Sequence, residues 1–545
     1  MFDFFSHRHG SSTPTVFYVP TPDPFENPLV ETNPGPLRQW ATALPYANPD
    51  QLAEAVLNSL ARLNRFPGLV RKRHELMEIY QSPALRLMHS SAAHRGAAPT
   101  QKTRRVMLEM ALGYSHVANQ CLANKASKKN LERLTHAIYH AIKFYLQEYL
   151  YACEEFDCRT THSYREISRL RTYAEEQKIH LTPIDEEDHP SIERSIEQQY
   201  NRFLLLRLLD PCHLQAGEVR LCFDYLDALA GHAQFKPPSR EIAPAGHYVV
   251  DRLGEVPPSL FEPDGLETLT QPRFTLFDLN PVSKQIHQQL RRLERSEEQK
   301  PATMRKLSAQ EVANLLARML KSWHIRLQRD SERHTTSGQV SVWTGLHSIY
   351  LYLTRDQRQE DYADDATSNE ITLTQVQSVQ TKAQDPHKPQ LIARRFNQSR
   401  SGVALHLTMS PNSPSLVGEL VLISLKSGAE TTEWKVGIVK RALNRQGEHL
   451  EIGVQFVQGR IEPVTLQSTL RERGSDRGEA PENSVYPGLY IDQGHTHRSS
   501  LLVPKHFFAL GQEYRVEEMV PAPVITPLQL LESTTHFERY RIKSV

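Results

Sequence analysis

Apolar side chains recur at three- and four-residue steps from about residue 46 to residue 328, and at every second position from about residue 336 onward. The first period predicts helices. ANPDQLAEAVLNSLARLNR sets Asn48 as a cap and Pro49 in the first turn, with Leu52, Val56, Leu60 and Leu63 on one face. In NLERLTHAIYHAIKFYLQEYLY, Asn130 is the expected cap, and Leu131, Leu134, Ile138, Ile142, Tyr145 and Tyr149 form the apolar stripe. Further helices are expected near 102–126, 161–178, 191–209, 214–231 and 281–297. SAQEVANLLARMLKSWHIRL carries a stripe of Val312, Leu315, Met319, Trp323 and Leu327, which reads as a core or docking seam. EIAPAGHYVVDRLGEVPPSLFEP breaks the helical period and predicts a small strand or loop element, while residues 1–45, rich in Pro, Ser and Thr, are expected to form a flexible tail.

The second period predicts short antiparallel strands. GQVSVW, QLIARRF, VALHL, GELVLISL, EWKVGIVKRAL, HLEIGVQFV and PVTLQ are separated by turn residues, as in a small barrel or sandwich. GLYI, SLLVPKHF, EYRVEEMV and FERYRIK form a further β stretch. The expected fold class is α+β and multidomain: a tail to 45, a helical domain over 46–328, a β-barrel over 329–470 with a polar insertion at about 354–387, a linker at 471–483, and a β extension over 484–545.

Composition narrows the class. A chain of 545 residues is too long for one core, and 64 Lys and Arg against 63 Asp and Glu leave a net charge of +1, which gives no support for coating nucleic acid. Any anion site must therefore be local. The Pro-broken N-terminus has no apolar core of a signal peptide, and no apolar run approaches the roughly 20 residues of a spanning helix. Five cysteines without metal-like pairing, of which Cys153 and Cys158 lie closest in sequence, are expected to be thiols of a reducing compartment. The expected location is cytoplasmic, with no membrane insertion.

RRFNQSRSGVALHL places Asn397-x-Ser399-x-x-Gly402 at a corner between two strands. Asn397 and Ser399 can exchange hydrogen bonds with a base edge or a phosphate oxygen, and Gly402 permits a close or positive-φ backbone. Upstream, Arg329-Asp330-Ser331-Glu332-Arg333 stands immediately before the first strand, its two guanidinium groups one helical turn apart if the preceding helix persists, with Arg326 as a third. Arg394 and Arg395 compete as ligands, and alternation puts one of them on the ligand face.

These two motifs in this order, followed by VGELVLISL, WKVGIVKRAL and EIGVQFV, resemble the PilZ family, a small β-barrel that binds cyclic di-GMP in bacteria. That family carries Arg-x-x-x-Arg ahead of the barrel and Asp/Asn-x-Ser-x-x-Gly after an early strand; here the polar insertion lengthens the distance between them. The helical half resembles, more loosely, helical regions that precede degenerate PilZ domains. The resemblance implies a non-enzymatic second-messenger receptor that binds cyclic di-GMP at Arg329, Arg333, Asn397, Ser399 and Gly402 and signals through the helical domain to a protein partner. The alternative is a degenerate barrel that binds no nucleotide and serves as a docking scaffold.

Other motifs carry less. His136 and His140 in HAIYH share a helix face, but they lack the Glu of a zinc protease and the sequence offers no third ligand, so no metal or cofactor is assigned. GHTHR at 494–498 reads as a surface turn, and SKKN and GLVRKRHE read as solvated helix ends. Neither a phosphate-binding loop nor a nucleophile elbow is present, and no enzyme is expected. A metal enzyme or hydrolase in the helical half is the reading from another class, and the histidine pair is its one hint.

Overall fold

The computed structural model describes residues 17–25, 30–68, 70–93, 101–124, 127–159, 162–185, 194–263, 273–295, 300–324, 334–354, 391–408, 416–427, 431–445, 449–468, 485–494, 499–508, 512–516 and 523–544. Two compact units result, one of Met1–Pro211 with Gly217–Arg326 and one of Cys212–Ala216 with Leu327–Val545. Among the described residues, no helix is long and apolar enough to cross a membrane.

In the first unit, α1 (Pro34–Thr42), α2 (Pro49–Asn64), α3 (Arg73–Ala93), α4 (Gln101–Ala123), α5 (Lys128–Glu154), α6 (His162–Glu176), α7 (Ile196–Leu208) and α8 (Glu218–Leu229) follow in order. Asn48 caps α2 as its sequence implies, its Oδ1 accepting from the amides of Asp50 and Gln51 at 3.2 Å each. For α5 the cap moves: Ser127 accepts from the Asn130 amide, and Asn130 turns its own Nδ2 onto the Cys121 carbonyl at 2.7 Å. Ile138, Ile142, Tyr145 and Tyr149 are wholly buried, but so are Phe144, Leu150 and Tyr151 on other faces, which makes α5 the central helix of the unit.

The tail expected through residue 45 is structured where it is described. Leu37 of α1 is buried, and Phe17 is pinned at both backbone atoms by Asn119, which accepts from its amide at 3.0 Å and donates to its carbonyl at 2.9 Å. Pro and Ser content gave no sign of these anchors because each is a single apolar residue. Where the helical period breaks, β1 (Gln234–Lys236), β2 (His247–Asp251), β3 (Ser259–Leu260) and β4 (Phe274–Asp278) form a sheet in the order β1-β4-β2-β3. Helices α9 (Asn280–Glu294) and α10 (Ala309–His324) complete the unit, with Val312, Leu315, Met319 and Trp323 buried as their spacing requires. Cys121, Cys153 and Cys222 are buried free thiols, whereas Cys158 is disulfide-bonded, contrary to the expectation that all five are thiols.

In the second unit, β5 (His334–Thr344), a helix α11 (346–354), β6 (Leu391–Ser399), β7 (Gly402–Thr408), β8 (Leu420–Ser427), β9 (Thr431–Arg445) and β10 (His449–Phe456) build a closed barrel in the order β10-β7-β6-β5-β8-β9. Then β11 (Arg460–Ser468), β12 (Val485–Asp492), β13 (Ser500–Pro504), β14 (Tyr514–Val516), β15 (Val524–Ser533) and β16 (Phe537–Ser544) close a second barrel, in the order β11-β12-β13-β16-β15-β14. PVTLQ, which its position groups with the first barrel, belongs to β11 and thus to the second.

The β extension is a barrel in its own right because pairing of β11 with both β12 and β14 leaves no free edge. Trp343, Leu346, Ile349, Leu422 and Ile438 of the first barrel share one apolar seam with Leu489, Ile491, Leu502 and Phe537 of the second.

Candidate ligand face of the first barrel

Asn397, Ser399 and Gly402 lie on β6 and β7, joined by the two-residue corner Arg400-Ser401. Register decides which side chains share a face. Val403, Leu405 and Leu407 are buried and point into the barrel, so His406 and Gly402 take the outer face together with Ala404, which is itself buried at 3% exposure beneath its neighbours. Arg394 pairs with His406, Asn397 with Ala404 and Ser399 with Gly402, whereas Arg395 pairs with Leu405.

Unbroken alternation would set Arg395, Asn397 and Ser399 together. A bulge at Phe396, between Arg395 and Asn397, reverses the parity. Arg394 therefore joins the outer face, and Arg395 turns inward, donating from Nη1 to Gln398 Oε1 at 2.8 Å, with its buried Nε without a hydrogen-bond partner among the described residues. Phe396 itself stacks on His406 at 4.1 Å between ring centroids.

Across the outer face one ladder row runs Thr335, Asn397, Ala404, Gly453, Arg441 over five strands. Two of the smallest residues thus form a floor between an amide and a guanidinium. The three strand spacings from Asn397 to Arg441 span about 14 Å. Arg441 is half-buried, its Nη1 lies 4.0 Å from Glu451 Oε1, and its buried Nη2 has no hydrogen-bond partner among the described residues. The adjoining row carries Arg394, His406 and Glu451.

Gly402 is required by proximity and not by a positive φ: a Cβ there would stand 2.3 Å from the carbonyl oxygen of Val454 on β10. Ser399 Oγ reaches Ser401 Oγ and the Gly402 carbonyl at 3.4 Å each, so the corner holds its hydroxyl at the rim. Arg329 and Arg333, like most of the polar insertion, lie outside the described residues. The structure thus brings Asn397, Ser399 and Gly402 together with Arg394, one of the two competing arginines, and adds Phe396, His406, Gly453 and Arg441. None of the added residues had a motif; Arg441 and Gly453 are reached through pairing of β9 with β10.

In the helical unit, α9 and α10 line a pocket of about 530 Å³ with Asn280, Ser283, Lys284, His287, Gln288, Arg291 and His324. It is a basic pocket. Burial, with His287 nearby, lowers the pKa of His324, whose Nε2 lies 2.7 Å from Ser283 Oγ. Lys284 and Arg291 supply its positive charge.

The class defined so far is a helical unit followed by paired closed barrels with a polar and cationic outer face. Residues 35–239, from α1 through β1, match the family described as "Cyclic-di-GMP receptor FimW, N-terminal domain". No curated protein matches the chain.

Proposed function

We propose that the protein is a non-enzymatic receptor for cyclic di-GMP, with a PilZ-like first barrel as the binding module and the helical unit passing the ligand state to a protein partner. The observation that carries this reading is the ladder row in which Asn397 and Arg441 flank the low floor of Ala404 and Gly453. Cyclic di-GMP presents two guanines and two phosphates. A planar base needs a flat surface to lie on, and its edge is read by amide and guanidinium groups. Its phosphates need arginines, for which Arg441 and Arg394 stand on the face and Arg329 and Arg333 stand just ahead of β5 in sequence. The similarity of the helical half to the N-terminal domain of a cyclic di-GMP receptor supports the same ligand from an independent part of the chain.

Arg329 and Arg333 follow closely in sequence on Leu327, where the second unit begins. The residues of the site bind and orient. Isothermal titration of the full chain with cyclic di-GMP tests the reading, beside Arg329→Ala/Arg333→Ala and Asn397→Ala/Arg441→Ala. Binding lost in both double variants is the expected result. Absence of binding by the wild-type chain, with its thermal transition unmoved by ligand, leaves the docking scaffold.

A further inference from the structure

His136 and His140, one turn apart on α5, acquire neighbours that the sequence separates from them by some sixty positions. On α3, His74 and Glu78 are also one turn apart, and the two helices present these side chains to each other. Glu78 Oε1 is 4.0 Å from His74 Nε2 and 3.8 Å from His136 Nδ1, and one ligand atom from each of the three residues lies within 4.8 Å of the others. The rings of His74 and His136 are 5.4 Å apart, and those of His136 and His140 are 4.2 Å apart.

We propose that His74, Glu78 and His136 bind a transition-metal dication between α3 and α5, with Zn²⁺ as its best-suited occupant. Ligand atoms around a tetrahedral Zn²⁺ at bond lengths of 2.0–2.2 Å stand about 3.4 Å from one another. The two carboxylate-to-imidazole separations exceed that by only a few tenths of an ångström. They are also too long for hydrogen bonds between these groups. The third pair, His74 with His136, is bounded at 4.8 Å, so all three separations contract when a metal binds.

The donor set selects the ion. Two imidazoles and one carboxylate suit Zn²⁺ and its neighbours in the first transition row, whereas Ca²⁺ and Mg²⁺ require oxygen donors throughout. The three side chains are each partly exposed, with His136 Nδ1 itself buried, so an ion would enter from the side of His74 and Glu78, where water can take the fourth position. Opposing charge comes from Arg133 near His74 and from Lys143 near His140, while Glu75 adds a second carboxylate on α3.

Support beyond the ligands has the form expected around a metal. Tyr114 of α4 donates its hydroxyl to Glu78 Oε1 at 3.1 Å, with Gln81 Oε1 within reach at 3.2 Å, and this orients the carboxylate. Tyr114 also stacks on His140 at 5.0 Å, which fixes that ring beside His136. His140 is buried, and its Nδ1 has no hydrogen-bond partner among the described residues. A buried imidazole nitrogen left so is costly, and water held by a metal at His136 would be a partner for it. The bound ion would clip α3 to α5 across α4, within the region similar to the receptor domain.

The test uses the full chain, stripped with a chelator and dialysed against Zn²⁺ or Co²⁺. Metal per chain is measured by mass spectrometry, and Co²⁺ coordination by its visible d–d absorption. One Zn²⁺ per chain and an intense Co²⁺ spectrum are expected. His74→Ala and His136→Ala should abolish both, and Glu78→Gln, which keeps size and hydrogen bonding, should weaken binding by at least about tenfold. His89→Ala, an exposed histidine on the same α3, should bind as wild type. Circular dichroism identifies any variant that fails to fold, and Glu78→Gln then carries the test. A wild-type chain that retains no stoichiometric metal, or a folded Glu78→Gln that binds as tightly as wild type, overturns the proposal.

Discussion

Replacing Gly453 by Val separates binding from folding on the outer face of the first barrel. A Cβ at Gly453 would meet its nearest neighbour, Arg441 Cβ, at 3.6 Å, an ordinary van der Waals contact, and the backbone there has no positive φ. The strand therefore has room for a Cβ, a β-branched residue suits a strand, and removing a glycine from a strand interior contributes about 0.5–1 kcal/mol of stability. The same side chain rises from the floor between Asn397 and Arg441. If a guanine rests there, the added carbons intrude on a packed contact and cost about 1–3 kcal/mol, a rise in Kd of about 5- to 150-fold.

Isothermal titration with cyclic di-GMP and a thermal melt of the same preparation read the two effects together. The expected pair is a melting temperature equal to or above wild type and a Kd raised at least fivefold. Gly402→Ala is the contrasting variant. Its Cβ would stand 2.3 Å from a backbone oxygen of β10, so it should lower stability by about 1–3 kcal/mol. A folded Gly453→Val chain that binds with unchanged affinity would refute the assignment of this floor to the ligand.

Two further outcomes test the helical unit. Arg104 donates from Nε, Nη1 and Nη2 to Glu148, Glu155 and Asp157 at 2.8, 2.9 and 2.9 Å, so Arg104→Ala strands three carboxylates; with Glu155 and Asp157 partly exposed, the cost is about 2–4 kcal/mol in urea denaturation, and a loss under about 1 kcal/mol would show that solvent replaces the arginine. Burial, aided by Arg73, pushes His116 down to about 3, and its Nε2 lies 2.9 Å from the Asn64 carbonyl. Because the unfolded imidazole titrates near 6.5, the unfolded state binds the extra proton between about pH 6.5 and 3, and stability falls as pH drops through that window. This one group removes about 1 kcal/mol between pH 7.5 and 5.5. Urea midpoints should show that loss, and His116→Asn should lessen it; equal pH slopes in the two proteins would sink the argument.

Periodicity was enough to read the helical half and the change to strands, because burial of one face imposes the 3.6- and 2-residue repeats directly on composition. It located Leu52, Val56, Leu60 and Leu63 on α2 and the buried stripe that ends at Trp323. The corner of Asn397, Ser399 and Gly402 was legible for a similar reason: a glycine and two small polar residues between strands have a local cause. That Asn397 and Ser399 share a face with Arg394 was not legible. Side-chain parity holds only as long as the strand is unbroken, and the bulge at Phe396 is defined by pairing with β7 and β5 and not by any residue in β6.

Long-range pairing likewise decided that Arg460–Ser468 closes a second barrel, since a strand's alternation says which of its faces is buried but not which strands flank it. Arg441 and Gly453 enter the candidate site through the β9–β10 register, and His74 and Glu78 meet His136 through the packing of α3 near α5. In each case the chain specifies its residues one at a time, while a site needs several within a few ångströms. Contacts between distant segments form only when their apolar faces have been buried, so the sequence alone determines the elements and the tertiary structure decides the company their side chains keep.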